Sequence, residues 1–113
     1  MKSKIIALSK NEEFKFLLKQ NKISNKYVSI FFGKLKNKYN TKINISFVTK
    51  KKLGNAVKRN KIKRRLRNIM NEAVNKISIN YNYSFLVIAK SSMLNNEYKI
   101  IKETLFQDFK KIK

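Results

Sequence analysis

The chain has 113 residues, with 28 Lys and Arg against 6 Asp and Glu, for a formal net charge of +22. It contains no His and no Cys, which excludes thiol chemistry, Cys-ligated metal sites and the usual general base. Six carboxylates make an acid-built catalytic site improbable, while 42% apolar residues suffice for one folded core, so the composition points to a small basic domain with a polyanionic partner.

Taken in chain order, Ser9 with Glu12 matches a capping box, and Glu12 and Glu13 suit the first turn of a helix. A helix is predicted over 11–21, with Phe14, Leu17, Leu18 and Asn21 along one stripe. Residues 22–25 are polar and read as a connector or a short strand. Tyr27 to Phe32 is β-branched and aromatic, hence a strand. Alternation places Tyr27, Ser29 and Phe31 on one face and Val28, Ile30 and Phe32 on the other. Residues 33–41 form a basic, polar turn region, and Ile43 to Thr49 reads as a second strand with Ile43, Ile45, Phe47 and Thr49 on one face. A hairpin between the two strands is the natural expectation.

Gly54 then precedes a long helix over 55–77, whose apolar stripe is Ile62, Leu66, Ile69, Met70, Ala73 and Ile77. Asn60, Lys63, Arg64 and Arg67 fall at i, i+3, i+4 and i+7 on a separate polar stripe. Tyr83 to Ala89 is almost continuously apolar, as a central strand would be. Asn95 and Asn96 are cap candidates for a last helix over 97–111, striped by Tyr98, Ile101, Leu105, Phe109 and Ile112. The order αβββαβα, with no Pro and only two Gly, gives an α+β class: a single-domain α-β sandwich over 1–113, helices packed on a small mixed sheet.

The charge is unevenly placed. No acid occurs from Phe14 to Asn71, and residues 50 to 67 hold ten basic side chains. All four Arg lie between positions 59 and 67, against 24 Lys spread along the chain. Arg offers a planar bidentate fork suited to phosphates and base edges, so its clustering marks a nucleic-acid surface. No stretch nears the roughly 18 apolar residues of a membrane span. The apolar run Ile5 to Leu8 is also shorter than the roughly 7 to 15 of a signal peptide. A cytoplasmic protein with no membrane partner and no small-molecule substrate is expected.

Residues 51–67, KKLGNAVKRNKIKRRLR, resemble the signature of the bacterial ribonuclease P protein family. The matching positions are Lys51, Gly54, Ala56, Val57, Arg59, Asn60, Lys63, Arg64 and Arg67. The resemblance covers nearly the whole chain, including LSKNEEF near the start, FVTKK before the motif, and YSFLVIAK followed by a Lys-rich amphipathic helix. Departures are Phe47, where smaller residues are commoner, Leu18, where an aromatic is frequent, and KSSML after Ala89, without the usual Arg and Pro.

The resemblance implies the protein part of a ribonucleoprotein that hydrolyses one phosphodiester bond to remove the 5′ leader of precursor tRNA. The catalyst is the RNA subunit, with Mg²⁺ at its active site. The protein binds that RNA, holds the leader of the precursor tRNA and lowers the Mg²⁺ requirement. The implied fold is the α-β sandwich shared with a domain of a small-subunit ribosomal protein, with a left-handed β-α-β crossover where a right-handed one is the rule. Carried over by residue, Lys51, Lys52, Arg59, Asn60, Lys63, Arg64 and Arg67 contact the catalytic RNA or the metal-rich region beside it. Phe14, Tyr27 and Phe31 are the candidates for stacking on leader bases, with a place in the core as the alternative, and Lys15 and Lys26 are the candidates for leader phosphates. A ribosomal protein of the same fold, or a non-specific nucleic-acid chaperone, would share the charge but not the spaced motif.

Overall fold

Tyr83–Ala89 is apolar at almost every position and so requires cover on both faces. It becomes β5, the middle strand of a five-stranded mixed sheet. The computed structural model describes residues 5–8, 11–35 and 43–112. In chain order the other elements are β1 (Ile5–Ile6), α1 (Asn11–Leu18), β2 (Asn21–Ser24), β3 (Val28–Lys34), β4 (Ile43–Val48), α2 (Ala56–Lys76), which precedes β5, and α3 (Tyr98–Lys111). Short 3-10 turns at Lys51–Leu53 and Ser91–Met93 precede α2 and α3. The strand order is β1-β4-β5-β3-β2, with β4 parallel and β3 antiparallel to β5. The β4-α2-β5 unit is the β-α-β crossover of the expected α+β sandwich. The capping box at Ser9 and most of the 33–41 turn lie outside the described residues.

The two sheet faces are unequal. On one, Ile30 of β3, Ile43 and Ile45 of β4, and Phe85 and Val87 of β5 pack under α2 and α3. Ile62, Leu66, Ile69, Met70 and Ala73 of α2 and Ile101 and Leu105 of α3 are completely buried against them. Burying each large aliphatic side chain stabilises by about 1.5–3 kcal/mol. The Phe85 and Phe109 rings meet edge-on at 5.3 Å. The other face is only partly roofed: Leu17 of α1, and Leu8 ahead of that helix, pack on Leu86, with Phe14, Phe31, Val48 and Ile88 half-buried at the margin. Gly33 permits the close approach of the turn that follows α1, because a Cβ there would stand 2.8 Å from Gln20 Cγ.

Several local expectations are corrected. β3 and β4 do not form a hairpin, because β5 lies between them. The most apolar strand takes the centre, and β3 pairs instead with the polar, mostly exposed edge strand β2. Strand alternation begins at Val28 rather than Tyr27. Asn25 builds a turn in which its Oδ1 accepts the Tyr27 N–H at 2.7 Å and the Val28 N–H at 2.9 Å. Tyr27 therefore points into the α2–α3 side and is 5% exposed, away from Phe31. α1 stops at Leu18, which is exposed instead of sharing the buried stripe with Leu17. Neither Asn95 nor Asn96 caps α3: the cap position is Glu97, without a side-chain bond, and Asn96 Nδ2 donates back to Ser92 O at 2.7 Å.

The start of α2 is built with more care. Asn55 is its N-cap, with Oδ1 accepting the Lys58 N–H at 3.0 Å. Gly54, just before it, has φ 136° and ψ −167°, a region open essentially to Gly alone. Gly54→Ala is expected to destabilise the fold by about 1–3 kcal/mol, read as a lower urea midpoint with an unchanged slope. An unaltered midpoint would contradict the strain assigned to this turn.

Candidate nucleic-acid interface

α2 separates its two chemistries by helical period. Asn60, Lys63, Arg64 and Arg67 are all exposed, while Ile62, Leu66 and Ile69 between them are at 0% exposure. Lys51 and Lys52 are exposed in the 3-10 turn that leads into the helix. Among the described residues, ion pairs join Lys102 to Glu72 at 3.3 Å and Lys111 to Asp108 at 3.5 Å. Neither involves the α2 row, so its cations remain available for an external anion. Arg59 is half-buried, with its Nε enclosed and without a hydrogen-bond partner among the described residues.

Arg65 behaves differently from the other arginines. Its Nη1 donates to Met93 O at 3.1 Å and Asn96 O at 3.2 Å, fastening α2 to the segment before α3. That segment is also tied to the β2–β3 turn: the Lys90 N–H donates to Tyr27 O at 2.8 Å and Lys90 Nζ to Asn25 O at 2.6 Å. Asn25 Nδ2 in turn donates to Asp108 Oδ2 of α3 at 2.7 Å. Within the Arg cluster, therefore, one member holds the protein together and the exposed members face outward. Burial, and then the nearby Glu72 carboxylate, raise the Tyr98 phenol above its ordinary value, so it is a neutral hydroxyl near pH 7 at the α2–α3 junction.

On the partly roofed sheet face, Phe14 and Phe31 are half-buried and Lys15 is exposed. Lys22 Nζ lies 5.5 Å from the centre of the Phe31 ring, because β2 pairs Lys22 directly with Phe31. Lys26 is exposed with its Nζ 5.9 Å from the Tyr27 ring. Tyr27 itself, expected to stack on leader bases from the same face as Phe31, is withdrawn into the core on the other side by the Asn25 turn. A groove of about 520 Å³ at the strand ends gathers Ser29, Lys50, Lys52, Ile88 and Lys90. A second, of about 560 Å³, brings Phe14 together with Lys63 and Arg67. Sequence reasoning overlooked Lys22 and Lys90. Lys22 requires knowledge of the β2–β3 register, whereas Lys90 was signalled by its place directly after the last residue of a central strand.

Among the described residues, no group of three or more His, Cys, Asp or Glu side chains could hold a metal ion. A Mg²⁺ coordination sphere built from this chain's own side chains does not fit that arrangement. No helix among them is long and apolar enough to cross a membrane. What the site offers is a row of cations beside half-open aromatics, the combination used to track a phosphate backbone and stack unpaired bases.

A basic α+β sandwich with this helix-borne row is a nucleic-acid-binding protein by construction. Its fold matches that of the ribonuclease P protein from Thermotoga maritima, with a TM-score of 0.80 over 96% of this chain and 98% of that one, at 23% identity. It matches the Staphylococcus aureus ribonuclease P protein with a TM-score of 0.76 over 94% and 93% of the two chains, at 28% identity. In sequence it is 37% identical over 111 residues to the ribonuclease P protein component of Fusobacterium nucleatum, covering 94% of this chain and 96% of that one. The corresponding protein of Mycoplasma mycoides is 31% identical over 113 residues, the full length of both. A family model described as Ribonuclease P matches residues 3–113. The chain belongs to the bacterial ribonuclease P protein family. It is the RNA-binding, non-catalytic protein subunit of the ribonucleoprotein that removes the 5′ leader from precursor tRNA, assisting its catalytic RNA.

The contrast between two neighbouring arginines is directly testable. Arg65→Ala removes two hydrogen bonds to backbone carbonyls, and a loss of about 1–3 kcal/mol of stability is expected. Arg67→Ala should leave the thermal midpoint within experimental error and weaken binding to the catalytic RNA. Equal effects of the two substitutions on stability would contradict this division of labour.

Proposed function

We propose that the exposed row of α2, with Lys51 and Lys52 before it, docks on the catalytic RNA, and that the partly roofed sheet face holds the leader. The observation that carries this reading is the two-sidedness of α2: Asn60, Lys63, Arg64 and Arg67 are exposed while the opposite stripe is fully buried. A solvated surface helix ordinarily mixes charge signs, and here the acid-free stretch from Phe14 to Asn71 leaves the row with a single sign. Arg59, half-buried beside the row, would set its inner margin.

For the leader, Phe14 and Phe31 are the stacking candidates and Lys15 and Lys26 the phosphate contacts, with Lys22 and Lys90 added to them. Tyr27 serves this site indirectly, by fixing the turn that carries Lys26. Mg²⁺ belongs to the RNA in this reading. Cations of the protein neutralise phosphates that would otherwise repel one another, so less Mg²⁺ is needed. We further propose that the protein acts in the cytoplasm as one domain over residues 1–113.

Reconstitution tests the reading. The purified protein, the catalytic RNA and a precursor tRNA are combined at low Mg²⁺, and cleavage at the 5′ end of the mature tRNA is expected to accelerate over RNA alone. Tight RNA binding without acceleration would favour a non-specific chaperone and overturn the proposal. Within that assay, Phe31→Ala should weaken binding of leader-bearing precursor by about 1–3 kcal/mol and leave mature tRNA unaffected. Equal losses for both RNAs would remove Phe31 from the leader site.

A further inference from the structure

Among the described residues, β1 pairs with β4 at Ile43 and Asn44 alone. Beyond Asn44 no strand lies along the outer edge of β4 among the described residues. The chain passes this edge at Leu8, whose N–H donates to Ser46 Oγ at 2.8 Å. α1 covers one face of the sheet here and α2 the other. The space left between them is the groove of about 560 Å³, which Phe14 enters from α1, Phe47 from β4, and Lys63, Arg67 and Asn71 from α2.

The chemistry gathered there corresponds to one nucleotide unit. Phe14 and Phe47 are both half-buried, each packed on the protein by part of its surface and open by the rest. Lys63 and Arg67 have no ion-pair partner among the described residues, and Asn71, one turn beyond Arg67, has no side-chain hydrogen bond there. An aromatic face accepts any base, two cations suit a phosphate, and an amide presents the donor and acceptor needed to read a base edge.

We propose that this edge groove binds a single unpaired RNA nucleotide, its base against Phe47 and Phe14, its phosphate on Lys63 and Arg67, and its base edge on the Asn71 amide. The proposal rests on the reading of the chain as a ribonuclease P subunit and adds Phe47 and Asn71 to its RNA contacts. It also joins the two proposed RNA surfaces into one path around the sheet edge. The nucleotide comes from the precursor leader or from a splayed position of the catalytic RNA.

Phe47→Leu keeps apolar volume against the core while removing the stacking face, and Asn71→Ala removes the amide on a helix position that favours Ala. Full-length variants are titrated in two arms: against the catalytic RNA alone, and, as holoenzyme, against precursor tRNA with and without its leader. Each variant is expected to lose roughly 5- to 100-fold in affinity in one arm. A loss in the first arm assigns the nucleotide to the catalytic RNA; a loss confined to leader-bearing precursor assigns it to the leader. Wild-type affinity of Asn71→Ala in both arms overturns the proposal, whether or not Phe47→Leu folds. Wild-type stimulation of cleavage, measured in parallel, reads the parent function separately, so its failure is distinct from failure of the groove.

Discussion

Uncompensated positive charge is the constraint to which the rest of this molecule is fitted. With 28 basic side chains and 6 acids, the chain cannot neutralise itself, and the compact state works against its own repulsion. Two of the acids, Asp108 and Glu72, hold elements together. Asp108 accepts from Asn25 and pairs with Lys111, and Glu72 pairs with Lys102 across the α2–α3 contact. Arg65 and Lys90 are held on backbone carbonyls, and the exposed cations are left to water or an external anion.

α2 resolves this constraint by period. Its apolar stripe anchors the largest part of the core, and its polar stripe carries charge outward on the same rigid rod. A helix fixed along one whole side presents the other side in a fixed geometry, which an anchored RNA contact requires. Around that rod the smaller devices fall into place. Gly54 turns the chain into the helix, Asn55 caps it, and Arg65 fastens its middle to the segment carrying Lys90. Arg65 thereby connects the helix that meets the catalytic RNA with the strand ends proposed to meet the leader.

Much of this was legible in the sequence because it depends on local periodicity. The α2 stripes, the central position of Tyr83–Ala89 and the α3 face follow from spacing alone, and the structure departs from the expected helix ends by a residue or a few. What failed depended on non-local pairing or on one turn. The β3–β4 hairpin was a reasonable local guess, but the strand that most needs burial inserts between them, and sequence order carries no sign of that. Strict alternation places Tyr27 beside Phe31, but Asn25, three residues before the strand begins, breaks it with a side-chain turn. Lys22 over Phe31 requires the β2 register, and the edge groove requires knowing that β1 stops after Ile6. Arg65 was indistinguishable by composition from its neighbours. Only the carbonyls of Met93 and Asn96 reveal its separate role.

The central claim is that the exposed α2 row is the principal electrostatic contact with the catalytic RNA. The most direct test is the salt dependence of binding to that RNA, comparing the wild type with a triple variant carrying Lys63→Ala, Arg64→Ala and Arg67→Ala. Each lost phosphate contact lowers the slope of log affinity against log salt by about 0.7 to 0.9. The slope for the triple variant should therefore be shallower by roughly 2 to 3, with the thermal midpoint in buffer unchanged or higher. An unchanged slope would mean that these side chains do not meet phosphates and would contradict the account.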